Sequence, residues 1–209
     1  MTGAGPLVSV IIPALQEDAE LPCVLDHLRD LEGRWEVLVA EGPGRARRCN
    51  AVAATASGDV LLFLHADSRL PADAYASLSC ATADPGVVGG NFALRFSGGD
   101  HFARVLTAVY AFQRRLGLYY GDSSVWVRRS VFESLGGYRD LAIMDDFDFV
   151  RRMEAAGETA CLPGPARTSD RRWRAMGVPR TLLSWWAIRW LYLAGVSPQR
   201  LARLYRRVR

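Results

Sequence analysis

The chain has 209 residues, half of them hydrophobic and 23% charged, which excludes a disordered segment and leaves one domain enough apolar surface for a core. All 26 basic residues are arginine, and the net charge of +4 conceals a gradient. Residues 1–100 carry 7 Arg against 13 acids, residues 101–209 carry 19 Arg against 9, and residues 167–209 carry 11 Arg against Asp170 alone. Such a basic end suits an anionic partner: phospholipid, a phosphorylated substrate or nucleic acid. The four cysteines, Cys23, Cys49, Cys80 and Cys161, have neither CxxC nor finger spacing and sit in apolar or small-residue contexts. They are expected as buried reduced thiols. With no basic n-region or cleavage site after Met1, the expected compartment is the cytosol.

Leu7–Pro13 is rich in β-branched residues and ends at a proline, so it reads as the first strand. Leu21, Val24, Leu25, Leu28 and Leu31 recur at helical spacing within 17–31, with Pro22 tolerable only in the first turn. Trp35–Ala40 is a second strand, 45–56 a helix, Val60–Leu64 a third strand and 71–81 a further helix. This β-α-β-α-β rhythm predicts a parallel sheet with right-handed crossovers. Val87–Phe96 alternates and holds the Gly89-Gly90 pair, the mark of a strand with a bulge or a close approach. Residues 100–116 read as a helix, 124–127 as a short strand, 130–135 as a short helix closed by Gly136-Gly137, and 147–156 as another helix. Residues 181–196 form the most apolar segment, too short and too charged at Arg189 to span a bilayer comfortably. A final helix at 198–209 sets Leu201, Leu204 and Tyr205 on one side and arginines on the other. The Trp-rich and Arg-rich pair suits either a membrane-surface anchor or helices packed on the core behind a solvated basic tail.

Five clusters carry polar chemistry. Asp67, in His65-Ala66-Asp67, follows a buried strand; it can hold a cation against a phosphate or cap the next helix. Pro13 and Glu17 follow the first strand, and Glu41 follows the second. Arg45, Arg47, Arg48 and Asn50 come next; arginines at a helix start oppose its dipole, and a diphosphate or plain solvation would account for them. Asp145-Asp146-Phe147-Asp148 is either a dipole-favoured helix start or the seat of a general base. Ser169-Asp170-Arg171-Arg172-Trp173-Arg174 joins cations to an aromatic and is either a phosphate or sugar contact or surface.

In this order the clusters resemble family 2 glycosyltransferases, and more narrowly the short bacterial subgroup of radical-SAM/selenodomain-associated transferases. The resembling pieces are VSVIIPALQE, GRARRCNAVAATASGDVLLFLHADSRLP, VVGGNFALRF, YGDSSVWVRRSVFESLGGY, IMDDFDFVRRM, TSDRRWRAMGV and LAGVSPQRLARLYR, which cover essentially the whole chain. The resemblance implies an α/β fold of the GT-A type: a Rossmann-like sandwich, its central sheet mainly parallel, with flanking helices and C-terminal amphipathic helices. Residues 1–178 would be the catalytic domain, and 179–209 the Trp/Arg-rich helices, part of that domain or a membrane-surface anchor. It implies an inverting transfer from a nucleotide-sugar donor, a UDP-sugar by family precedent, to a small-molecule or lipid-linked hydroxyl acceptor. Asp67 would bind Mn²⁺ or Mg²⁺ at the donor diphosphate, with His65 and Ala66 beside it. Asp146 would be the base and Asp145 its neighbour. Pro13, Glu17, Glu41, Arg45, Arg48 and Asn50 would line the nucleotide pocket. Asp122, Arg171, Arg172 and Trp173 would serve the acceptor and diphosphate side. The protein would be cytoplasmic, or peripheral on the inner face of the membrane.

One stretch departs from the family pattern. Glu41-Gly42-Pro43 runs straight into Gly44-Arg45-Ala46, where family members place an Asp-Gly-x-Ser-x-Asp segment and a further helix–strand unit. A rival reading follows: a protein with this fold but impaired donor binding, acting as a scaffold. A nucleotidyltransferase would want a glycine-rich basic signature where this chain has Ala14-Leu15-Gln16-Glu17. A nucleic-acid binder would interleave aromatics with its basic groups, which the basic tail does not do.

Overall fold

A computed structural model describes residues 5–14, 18–169 and 178–208. In chain order the elements are β1 (Val8–Pro13), α1 (Leu21–Arg29), β2 (Trp35–Ala40), α2 (Arg45–Ala53), β3 (Val60–Phe63), β4 (Ser68–Arg69), α3 (Ala74–Thr82) and β5 (Val87–Phe96). Then follow α4 (His101–Arg115), a 3-10 turn (Gly121–Ser123), β6 (Trp126–Arg128), α5 (Arg129–Ser134), α6 (Asp145–Ala156), β7 (Glu158–Thr168), α7 (Val178–Leu193) and α8 (Pro198–Val208). The strands make one sheet in the order β2-β1-β3-β6-β5-β7-β4. Pairing is parallel for β1–β2, β1–β3 and β5–β7 and antiparallel for β3–β6, β5–β6 and β4–β7. So β1, β2, β3, β5 and β7 point one way, and only β4 and β6 oppose them. The sheet is mainly parallel in direction, as expected.

Both faces of the central strands are covered, which is why β1 and β3 read as unbroken apolar runs. Val8, Val10, Ile12, Leu62 and Leu64 pack with Val24 and Leu28 of α1 and Leu78 of α3. The alternate residues Ile11, Leu61 and Phe63 face the other side, against Cys49 of α2, Phe132 of α5 and Phe149 and Met153 of α6. The C-terminal helices close a smaller cluster in which Ile188 and Leu201 meet Tyr120, Met144 and Phe147. The three tryptophans of α7 therefore divide: Trp185 packs inward on that cluster, while Trp186 and Trp190 are exposed. No helix among the described residues is long and apolar enough to cross a membrane.

Several details differ from the expectations. The first helix begins at Leu21 rather than 17, because Pro22 fits only at its start. The strand β7 carries Pro163-Gly164-Pro165, a composition that argues against a strand. Its pairing with β5 jumps from Phe92↔Leu162 to Leu94↔Ala166, so the two prolines lie in a bulge where the ladder needs no N–H from them. Among the cysteines only Cys49 is buried, where burial pushes its thiol up to about 11; Cys23, Cys80 and Cys161 are exposed and free.

The Gly89-Gly90 pair marks both a bulge and a close approach. Register slips between Val87 and Gly89, and Gly90 is opposite Trp126 on one side and Ala160 on the other. A Cβ on Gly90 would run into the Ala160 carbonyl oxygen. Gly90→Ala is accordingly expected to cost about 1–3 kcal/mol in urea unfolding. Gly99→Ala, whose added Cβ meets nothing within 4 Å, should leave the midpoint almost unchanged.

Candidate functional site

Because five strands share one direction, their carboxyl ends share one edge, where open α/β sheets bind ligands. Pro13, Glu41 and His65-Ala66-Asp67 arrive there from β1, β2 and β3. The reversed strand β6 starts at the same edge, and Phe63 N donates to Val125 O at 2.8 Å, which sets the 3-10 turn beside the end of β3. Pro13 is buried, Ala66 belongs to the core, and Glu41 is exposed.

The first turn of α2 follows Gly44, whose φ of 75° is one that glycine adopts without strain. Its arginines find protein partners. Arg45 Nη1 donates to Asp145 Oδ2 at 2.7 Å, and Arg47 Nε donates to Asp140 at 2.7 Å on the exposed surface. Arg48 Nη1 donates to Ala14 O at 3.1 Å, tying α2 to the end of β1. Arg45 Nη2 and Arg48 Nε nevertheless stay buried without a hydrogen-bond partner among the described residues. Asn50 is spent on backbone: its amide donates to Tyr138 O at 2.7 Å and accepts from Tyr138 N at 2.9 Å.

The acids at the start of α6 favour the positive end of the helix dipole, yet they have three different fates. Asp148 is buried and bonded to Arg139, Arg152 and the Tyr192 hydroxyl at 3.1, 2.8 and 3.1 Å, so it clamps α6 to α7. Asp145 is buried against Arg45; burial pushes its carboxyl pKa up, and the guanidinium works in the opposite direction. Asp146 is partly exposed and held by backbone: Oδ2 accepts from Gly121 N and Oδ1 from Phe147 N, both at 2.8 Å. Gly121 is where the groups converge. A Cβ there would lie 2.8 Å from Arg45 Nη2, 3.1 Å from Asp146 Oδ2 and 3.2 Å from His65 Nε2. Two non-glycine residues in the left-handed region flank this convergence, Ser124 at φ 54° and Met144 at φ 68°.

Asp67 lies beyond His65 in a turn closed by Ser68 N donating to His65 O at 3.0 Å. With Glu20, Arg69, Ser97, Arg167 and Thr168 it lines a cavity of about 420 Å³. Among the described residues no group of three or more His, Cys, Asp or Glu side chains is placed to hold a metal ion. Asp67, with Glu20 on the same cavity but near Arg69 at 3.9 Å, still suits Mg²⁺ or Mn²⁺, which take one or two carboxylates and complete their shell with substrate phosphate and water. Asp122, in the 3-10 turn, faces Tyr110, whose phenol is pushed up by burial and by that carboxylate. Glu17, Arg171, Arg172 and Trp173 lie outside the described residues.

No protein-family model matches the sequence, and no curated protein matches it. Solved structures do match the fold. A mannosyltransferase from Pyrobaculum calidifontis, in complex with GDP-Man and Mn²⁺, superposes with a TM-score of 0.59 at 19% identity over 80% of this chain and 57% of that one. TarS 1-349 from S. aureus, in complex with UDP-GlcNAc, gives 0.62 at 11% identity over 78% of this chain and 58% of that one. The catalytic domain of Drosophila beta1,4galactosyltransferase 7, with xylobiose, gives 0.52 at 16% identity over 75% and 64%. The fold is the GT-A glycosyltransferase fold. The chain spans less than two thirds of the length of each of these structures.

Sequence reasoning did not single out Gly121, although a glycine between Tyr120 and Asp122 is a sign of close approach. It also passed over Arg167, which sits on the strand that its prolines disguise, and Arg69 on the two-residue β4. The geometry around Arg45 carries a direct test. Arg45→Met strands the buried Asp145 carboxylate, so urea unfolding at pH 8 should show a loss of about 3–5 kcal/mol. The folded-state pKa of Asp145, already raised, rises further in this variant. The deficit should therefore shrink as pH falls through that value, because a protonated carboxyl needs no counter-charge. An Arg45→Met/Asp145→Asn double variant should recover part of the loss at pH 8.

Proposed function

We propose that the chain is a metal-dependent, inverting glycosyltransferase of the family 2 type, within the short bacterial subgroup that it resembles. It moves a sugar from a nucleotide-sugar donor, a UDP-sugar by that resemblance, to an acceptor hydroxyl. One observation carries the reading. Of the three acids that open α6, two are ion-paired to arginine, whereas Asp146 is fixed by two backbone N–H groups and partly open at the sheet edge. A carboxylate oriented but not neutralised is what a general base requires.

In this reading Asp146 takes the proton from the acceptor hydroxyl, whose oxygen attacks the anomeric carbon from the face opposite the departing diphosphate, inverting the configuration. Asp145 and Arg45 position that base. The buried donors Arg45 Nη2 and Arg48 Nε supply fixed positive charge toward the diphosphate as it leaves. Asp67 holds Mn²⁺ or Mg²⁺, which when bound offsets the charge on the leaving group. Asp122, Arg171, Arg172 and Trp173 serve the acceptor and diphosphate side. The two neighbours solved with GDP-Man and with UDP-GlcNAc support the donor class.

The scaffold reading has one observation behind it. Strand β2 lies at the sheet edge and passes to α2 through residues 41–44 alone, leaving little chain to recognise a nucleoside. Calorimetry with UDP and with GDP in the presence of Mn²⁺ separates the two. Donor binding is expected in the wild type and should be at least about tenfold weaker in Asp67→Ala. No heat with either nucleotide would favour the scaffold. In a transfer assay that follows release of nucleoside diphosphate, Asp146→Asn should lose about 10²–10⁴-fold in rate with donor affinity retained. A parallel loss of donor affinity would move Asp146 out of the base role.

A further inference from the structure

Away from the sheet edge, α4 and α7 border an apolar groove of about 550 Å³. Its rim is unusual for a protein surface in water: Phe112, Leu116, Trp186 and Trp190 are each more than half exposed and lie together. Among the described residues its only charged lining residue is Arg189, which is just 8% exposed. The Nη1 of Arg189 has no hydrogen-bond partner among the described residues. A buried guanidinium donor is costly to leave unmet, and among the described residues no acid lines the groove to meet it.

We propose that this groove is a binding site for an amphiphile with one anionic head and a single apolar tail, the head on Arg189 and the tail along Phe112, Leu116, Trp186 and Trp190. The two halves of the ligand follow from two separate observations. The buried cation selects an acid, carboxylate or phosphate, through charge-assisted hydrogen bonds. The exposed aromatic and leucine rim rewards a hydrocarbon chain, which gains with each methylene removed from water. Arg189 also lies near Tyr120, a residue of the segment that leads into the candidate active site. Burial pushes the Tyr120 phenol up while the nearby Arg189 charge acts against it, and Tyr120 packs edge-on to Trp185 at 5.9 Å. The next residue is Gly121, which holds Asp146. The site does not depend on the transfer reading, since it is tested without donor or metal.

The test is titration calorimetry of the full chain with decyl phosphate and decanoate, below their micelle concentrations, against decyl maltoside, decyltrimethylammonium and inorganic phosphate. One or both acids should bind saturably and at least about tenfold more tightly than the neutral and cationic amphiphiles and than inorganic phosphate. Arg189→Gln should erase the preference for the acid head. Phe112→Glu, on the exposed rim, should weaken every tailed ligand while circular dichroism shows the fold retained. If Arg189→Gln fails to fold, the head-group comparison on the wild type and the Phe112→Glu result decide the matter. Equal affinity for all heads, or inorganic phosphate binding as tightly as decyl phosphate, overturns the proposal. So does sedimentation with phosphatidylglycerol vesicles without saturable binding of monomeric amphiphile, which would make the rim a membrane surface. A concentration-dependent dimer that Phe112→Glu dissolves, with no amphiphile bound, would make it a contact between copies.

Discussion

The ion pair between Arg45 and Asp145 joins the two halves of the chain at the point where chemistry is expected. Arg45 opens α2, in the parallel β-α-β part, and Asp145 opens α6, in the part with reversed strands. Neither charge is tolerable at its depth alone, so the pair fixes the distance between the two helix starts. That distance is what lets Gly121 slip between them and present its N–H to Asp146. With any larger residue at 121, the guanidinium end would have to shift and the carboxylate and the His65 imidazole give by a few tenths of an ångström.

The same pair explains an apparent contradiction in the charge distribution. Arginines at the start of α2 oppose its dipole, and acids at the start of α6 favour theirs. Set against each other across the sheet edge, the two helix ends let Asp145 offset Arg45 and leave one further acid and two buried guanidinium donors over. That surplus is mixed in sign. It suits a reaction in which a proton is taken at one side and negative charge builds at the other.

Much of this arrangement was legible in the sequence, and what was hidden has physical causes. Unbroken apolar runs such as Val60–Leu64 disclosed the doubly covered strands, and their polar successors lie together at the carboxyl edge of the sheet. The acids of α6 were visible as a group, but their division was not. Which of them meets an arginine depends on Arg45, Arg139 and Arg152, and the first of these is a hundred residues away in the chain. Asn50 is the opposite case: its amide is engaged by the backbone of Tyr138, and no side-chain pattern records a backbone group. The prolines of β7 concealed a strand because bulges are tertiary features, set by what the neighbouring strand does. The exposed thiols Cys23, Cys80 and Cys161 show how little a small-residue context says about burial.

Met144 couples the start of α6 to the C-terminal helices. Its left-handed backbone costs about 1–2 kcal/mol, and burying its side chain returns about 1.5–3 kcal/mol. The conformation that aims Asp145 and Asp146 is thus held by the packing of Met144, and part of that packing comes from Ile188 and Leu201 on the C-terminal helices. Whatever loosens α7 or α8 relaxes the residue that launches α6. Helices α7 and α8 thus act as a brace on the acidic pair, at one remove from it.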